Sequence, residues 1–91
     1  MTITKKIFIS GDVQGVFFRQ TALQKAEELQ ITGWIMNDPA GGVTAVAQGE
    51  KENVESFIEW CTQGPPAAQV NKIMVEDIEG EDYSRFEIKR Q

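Results

Sequence analysis

Nine consecutive residues, Gly11 to Arg19 in the order GDVQGVFFR, place two glycines four apart and close on an arginine. Just upstream, Ile7 and Ile9 alternate with Phe8 and the polar Lys6 and Ser10, a pattern that predicts a half-buried strand. Downstream, Ala22, Ala26 and Leu29 recur at i, i+4 and i+7, which predicts an amphipathic helix. Arg19 therefore falls near the start of a helix, where the dipole disfavours a cation by about 0.3–1 kcal/mol. An anion held between the guanidinium and the free N–H groups of that turn removes the conflict. A guanidinium grips two phosphate oxygens at once, and the amides of a tight loop take the third. The chemistry on offer is phosphoryl binding. Glycine spacing alone fits a plain strand-to-helix turn equally well, and the Walker pattern is absent because no Gly-Lys-Ser/Thr follows.

The rest of the chemical inventory is thin. There is no histidine, and the one cysteine, Cys61, shares an apolar helix stripe with Val54, Phe57 and Ile58, the setting of a core thiol. A serine or cysteine hydrolase lacks its base. No zinc-ligand cluster occurs, and the acidic run Glu76 to Asp82 reads as a solvated turn rather than a magnesium site. The expectation is a protein with no metal and no cofactor. Trp34 and Trp60 read as packing residues. Of the adjacent Phe17 and Phe18, one can point inward while the other shapes the loop.

These residues need a scaffold. After the first strand and helix, Gly33 to Met36 predict a short strand, Asp38 to Gly42 a turn, and Val43 to Gln48 its hairpin partner. Asn37 precedes Asp-Pro at the strand end, where an asparagine is ordinarily a turn former. Val54, Phe57, Ile58 and Cys61 mark a second helix with Glu50 and Glu52 at its start and Gly64-Pro65 at its end. Val70 to Glu76 and Tyr83 to Lys89 predict the last strands, joined by an acidic turn from Asp77 to Asp82. Strand, helix, strand, strand, helix, strand, with a short fifth strand, is the order of a ferredoxin-like split βαβ sandwich. That α+β fold puts two helices on one face of a mainly antiparallel sheet. The pattern leaves the strand order open, above all the place of the fifth strand.

The motif GxVQGVxFR, spanning Gly11 to Arg19, resembles the signature of the acylphosphatase family. A second family pattern, glycine-aromatic-x-x-Asn followed by spaced Gly, Val and Gly, is met by Gly33, Trp34, Asn37, Gly41, Val43 and Gly49. The likeness runs over nearly the whole chain, including Gly64-Pro65-Pro66 and the closing Phe86-Glu87-Ile88. The resemblance implies the same fold and the metal-independent hydrolysis of acyl phosphates by direct attack of water. It implies that Arg19 and Asn37 are the catalytic pair and that the loop residues Gln14, Gly15, Val16, Phe17 and Phe18 bind the phosphoryl group. Asp12 departs from many relatives, which carry Lys or Arg there, and its opposing charge is expected to weaken binding.

Residue chemistry agrees with that activity. Cleaving an acyl phosphate releases a carboxylate with a pKa of about 4 to 5, a leaving group that needs no general acid. What remains is to neutralise phosphoryl charge and align a water, which are positioning and electrostatic tasks.

With 91 residues the chain makes one domain, 1–91, able to bury about 60% of its unfolded surface. Fourteen acidic against nine basic side chains leave a net charge of −5, unlike a nucleic-acid-binding surface but compatible with a small phosphorylated substrate met by a few placed cations. The lone cysteine fits a reducing compartment, no apolar run reaches the length of a membrane span, and the N-terminus passes straight into a strand without a signal segment. A cytoplasmic monomer is expected. Two other readings differ in class. One is a noncatalytic phosphate or acyl-phosphate module, of the kind found inside larger maturation proteins; the chain's ending after one domain favours the free-standing enzyme. The other is an RNA-binding sandwich, which lacks an RNP1-type run. The proposed contacts all address the phosphoryl end, so broad acyl tolerance is expected.

Overall fold

The computed structural model describes residues 1–90. Seven elements follow one another: β1 (Thr2–Asp12), α1 (Phe18–Glu28), β2 (Thr32–Asn37), β3 (Val43–Glu50), α2 (Lys51–Gln63), β4 (Gln69–Asp77) and β5 (Phe86–Ile88). The strands form one sheet in the order β4-β1-β3-β2-β5, antiparallel throughout except that β5 runs parallel to β2. This is the ferredoxin-like α+β sandwich that the element order predicts.

Cross-strand partners share a face of a sheet. One row runs Val75, Ile7, Ala45, Ile35, Ile88, and its neighbour runs Ile73, Ile9, Val43, Asn37. Ile7, Ile9, Ile35, Val43 and Ala45 are buried, and this is the face the helices cover. α1 lies against β2 and β5, while α2 lies against β1, β3 and β4. From α1 the residues Phe18, Ala22 and Ala26 enter the core, and from α2 Val54, Phe57 and Cys61 do. Four rings knit the layers: Phe18 lies 5.3 Å from Trp60, Trp60 6.2 Å from Phe57, and Phe57 5.7 Å from Phe86, between centroids. Trp60 packs against the core, as expected. No helix among the described residues is long and apolar enough to cross a membrane.

The last strand departs from the sequence reading. It spans Phe86–Ile88 rather than Tyr83 to Lys89, and its predecessor β4 lies at the opposite edge of the sheet. Residues 78–85 therefore cross from one edge to the other and are no tight acidic turn. Gln48 fixes this crossing. Its side chain donates to Glu81 O at 2.7 Å and to Thr4 Oγ1 at 3.0 Å, and accepts from the Tyr83 amide at 3.1 Å. With its amide given to a side chain, Tyr83 is not available to a strand ladder.

Candidate active site

Between β1 and α1 the chain has to leave the centre of the sheet and start a helix that crosses back over β2. It does so in a short loop whose backbone φ changes sign at successive residues. Gly15 has φ 75° and Phe17 has φ 63°, whereas Gln14 and Val16 stay in the ordinary negative range. Such alternation turns consecutive N–H groups toward one concavity, a nest for an anion. Glycine adopts this geometry without cost; Phe17 does so as an aromatic residue in the left-handed region, a strain of the order of 1–2 kcal/mol.

The concavity opens into the N-terminus of α1. Phe17 is the N-cap and makes no side-chain capping bond, and no acidic residue stands in the first turn. The first amides of a helix have no intrahelical acceptor, so they add their N–H groups and the positive end of the dipole to the same spot. Arg19 sits in that first turn, half-buried.

The two phenylalanines divide as expected. Phe17 is 73% exposed beside the loop, whereas Phe18 is 2% exposed and seals the core against Trp60. Phe18 can meet a ligand only through its backbone amide, and its ring instead anchors the start of α1. Val16 is partly buried against the core and holds the loop's base. Gln14 reaches across to another element: its Nε2 donates to Asp38 O at 2.9 Å and to Gly42 O at 2.7 Å. The loop is thereby tied to the β2–β3 hairpin, a bond across the site and not within the loop itself.

That hairpin carries Asn37. Its turn is closed by Asp38, whose carboxylate accepts from the Ala40 amide at 2.9 Å and from Thr44 Oγ1 at 3.2 Å, and whose carbonyl accepts from the Gly41 amide at 2.9 Å. Asn37 pairs with Val43 on the helix-covered face, at the sheet end where α1 begins. Arg19 and Asn37, far apart in sequence, line one hollow of about 250 Å³ together with Lys89 and Arg90. An adjoining hollow of about 230 Å³ lies on the loop side and is lined by Gly15, Phe17, Phe18, Arg19 and Arg90, among others. Gln14 stands behind these hollows as a brace.

Electrostatically the hollows are cationic. Among the described residues the ion pairs are the N-terminal ammonium with Glu50, Lys5 with Asp77, and Arg85 with Glu87, so no carboxylate of those residues pairs with Arg19 or Arg90. Asp12 ends β1 opposite Gln69 with its side chain exposed. Cys61 is fully buried, and burial pushes its thiol up, which keeps it protonated and away from any chemistry. The sequence reading missed the span of Gln14 to the hairpin and the arrival of Arg90. Both are contacts between distant segments; alternation along the closing strand, in which Arg90 follows Ile88 by two, was the available sign for the second.

The fold and this loop define a ferredoxin-like sandwich with an anion nest at one end of its sheet. The acylphosphatase family model matches residues 5–88. An acylphosphatase of Coxiella burnetii is 47% identical over 83 residues, 91% of this chain and 87% of its own. The solved structure of an acylphosphatase from the same organism superposes with a TM-score of 0.93 at 44% identity, covering 97% of this chain and 93% of that one. The crystal structure of acylphosphatase from Bacillus subtilis also gives 0.93, at 32% identity, covering 99% and 100%. The chain belongs to the acylphosphatase family. Its activity is hydrolysis of the carboxyl–phosphate bond of acyl phosphates to a carboxylate and inorganic phosphate.

Proposed function

We propose that Arg19 and Asn37 are the catalytic pair of this reaction and that the phosphoryl group is bound by the amides of Gln14, Gly15, Val16, Phe17 and Phe18. Arg19 neutralises the phosphoryl oxygens and stabilises the charge they carry in the transition state. Asn37 orients the attacking water, its amide oxygen accepting one hydrogen bond and its nitrogen donating others. The water oxygen bonds to phosphorus as the bridging C–O–P oxygen departs with its electron pair as carboxylate. Both water hydrogens end on phosphate oxygens, giving dihydrogen phosphate with no change in total charge. An amide cannot serve as a base, so the substrate's own phosphoryl oxygens or solvent take the proton.

The observation that carries this reading is the joint lining of one hollow by Arg19 and Asn37, beside a loop of alternating φ that runs into an uncapped helix start. A carboxylate leaving group asks for neither metal nor cofactor. All these groups come from a single domain, and the substrate is a small acyl phosphate. We further propose a cytoplasmic monomer that engages neither nucleic acid nor membrane. The net charge of −5 and the lone, buried Cys61 support that assignment.

The test follows benzoyl phosphate hydrolysis by ultraviolet absorbance, with chelator present, for the wild type, Arg19→Gln and Asn37→Ala. Turnover independent of metal is expected, falling at least about 100-fold in each folded variant, the typical cost of losing one transition-state donor. Retention of the wild-type rate by either variant would remove that residue from the pair.

A further inference from the structure

The closing residues bring a second guanidinium to the candidate site. β5 runs parallel to β2 with Ile88 beside Ile35, and the Lys89 amide extends the pairing by donating to Ile35 O at 2.8 Å. Two residues onward from Ile35 and Ile88 stand Asn37 and Arg90. Side chains alternate along extended strands, so Asn37 and Arg90 share the helix-covered face. Lys89 reaches the Asn37 hollow as well, with its ammonium 4.6 Å from the centre of the Trp34 ring. Arg90 lines both hollows that Arg19 lines, the loop-side one and the one shared with Asn37.

Two separate elements bring positive charge to this end of the sheet. In a chain of net charge −5, two guanidinium-bearing residues without carboxylate partners among the described residues line the same pair of hollows, and no acidic side chain lines either. In the function proposed above, Arg19 and the loop amides hold the phosphoryl oxygens. Arg90 arrives from another element, and its rigid fork suits a carboxylate. The loop-side hollow, about 230 Å³ and lined by Phe17, Ile88 and Arg90 but not by Asn37, has room for a short acyl chain that departs away from the attacking water.

We infer that Arg90 is a specificity-determining residue that favours acyl phosphates whose acyl group ends in a carboxylate. The inference rests on the phosphoryl group binding at the Gly11 to Arg19 loop. It replaces the expectation of indifference to the acyl group, which took in only residues at the phosphoryl end.

Succinyl phosphate and butyryl phosphate have the same chain length and differ in the terminal carboxylate, so the ratio of their kcat/KM values reads this selection directly. The wild type is expected to favour succinyl phosphate, and added salt to narrow the gap. Arg90→Gln should cut the ratio about tenfold, the scale of one charge pair in a partly solvated site. Lys51→Gln removes the same charge at the start of α2, at the far end of the sheet and outside both hollows, and should leave the ratio within about twofold. An unchanged ratio in Arg90→Gln, or an equal fall in Lys51→Gln, overturns the inference. Arg19→Gln assayed on butyryl phosphate separates the two levels. Retained turnover there removes the site reading and the inference with it, whereas lost turnover with an indifferent Arg90→Gln removes the inference alone. Lys51 and Arg90 are both exposed, so neither substitution disturbs the core.

Discussion

Gln14 links the two halves of the candidate site, since one amide nitrogen serves the carbonyls of Asp38 and Gly42 at 2.9 and 2.7 Å. Those carbonyls belong to the turn that follows Asn37, so this side chain sets the distance between the phosphoryl loop and the water-orienting amide. A displacement of about 1 Å between such groups can cost about 100-fold in rate. Gln14→Ala should therefore lower kcat by about 10 to 100-fold, although Gln14 itself makes no chemical step. Gln14→Glu should be worse at neutral pH, because a carboxylate would face two carbonyl oxygens with no proton to give. It should recover in part as the pH falls toward about 4, where a protonated carboxyl again donates one bond. Steady-state kinetics of both variants across pH would decide the matter. A wild-type kcat in both variants at every pH would reduce Gln14 to a bystander.

At the level of elements, the features legible in the sequence are those written locally. The strand through Ile7 and Ile9, the stripes of α1 and α2 and the hairpin from Gly33 to Gln48 all appear where their periodicity places them. What was not legible depends on partners far along the chain. Tyr83 has strand-like chemistry, but its amide goes to Gln48 Oε1, so the last strand begins only at Phe86. The parallel placement of β5 beside β2, which delivers Arg90, follows from the crossing of residues 78–85 and has no local signature. In the candidate site, Arg19, Asn37 and the loop were legible because two short motifs carry them, whereas Phe17's left-handed backbone was not. Gly33 illustrates a motif glycine whose reason is purely structural. Its φ is 136°, and a Cβ there would sit 1.9 Å from Val46 O, inside the β2–β3 ladder that ends at Asn37. Because the clash is with backbone, relaxation means opening the ladder. Gly33→Ala should cost about 3 kcal/mol, read as a lower urea midpoint at unchanged slope. A loss below about 1 kcal/mol would mean that the two strands can part at little cost.

For the whole molecule, Cys61 reports on the integrity of the core. It is 0% exposed between the sheet and the ring cluster, and burial raises its thiol's pKa above the value it has in the unfolded chain. The sign of the linkage follows. Below the unfolded pKa of about 8.5 both states carry the proton, and this group leaves stability independent of pH. Above it the unfolded chain releases a proton that the folded chain keeps, so unfolding is favoured by about 1.4 kcal/mol for each further pH unit. Other groups titrate in the same range, which is why the comparison must be with Cys61→Ala. That variant should begin less stable by about 1 to 2 kcal/mol, for the lost packing of a small buried side chain. The wild type's advantage should then shrink as pH rises from 8.5 to 10 and disappear within that interval. Denaturant unfolding of the two proteins at several pH values measures the difference directly. Parallel stability curves would mean that the thiol ionises as readily in the folded protein as in the unfolded chain, and that the core around it admits water.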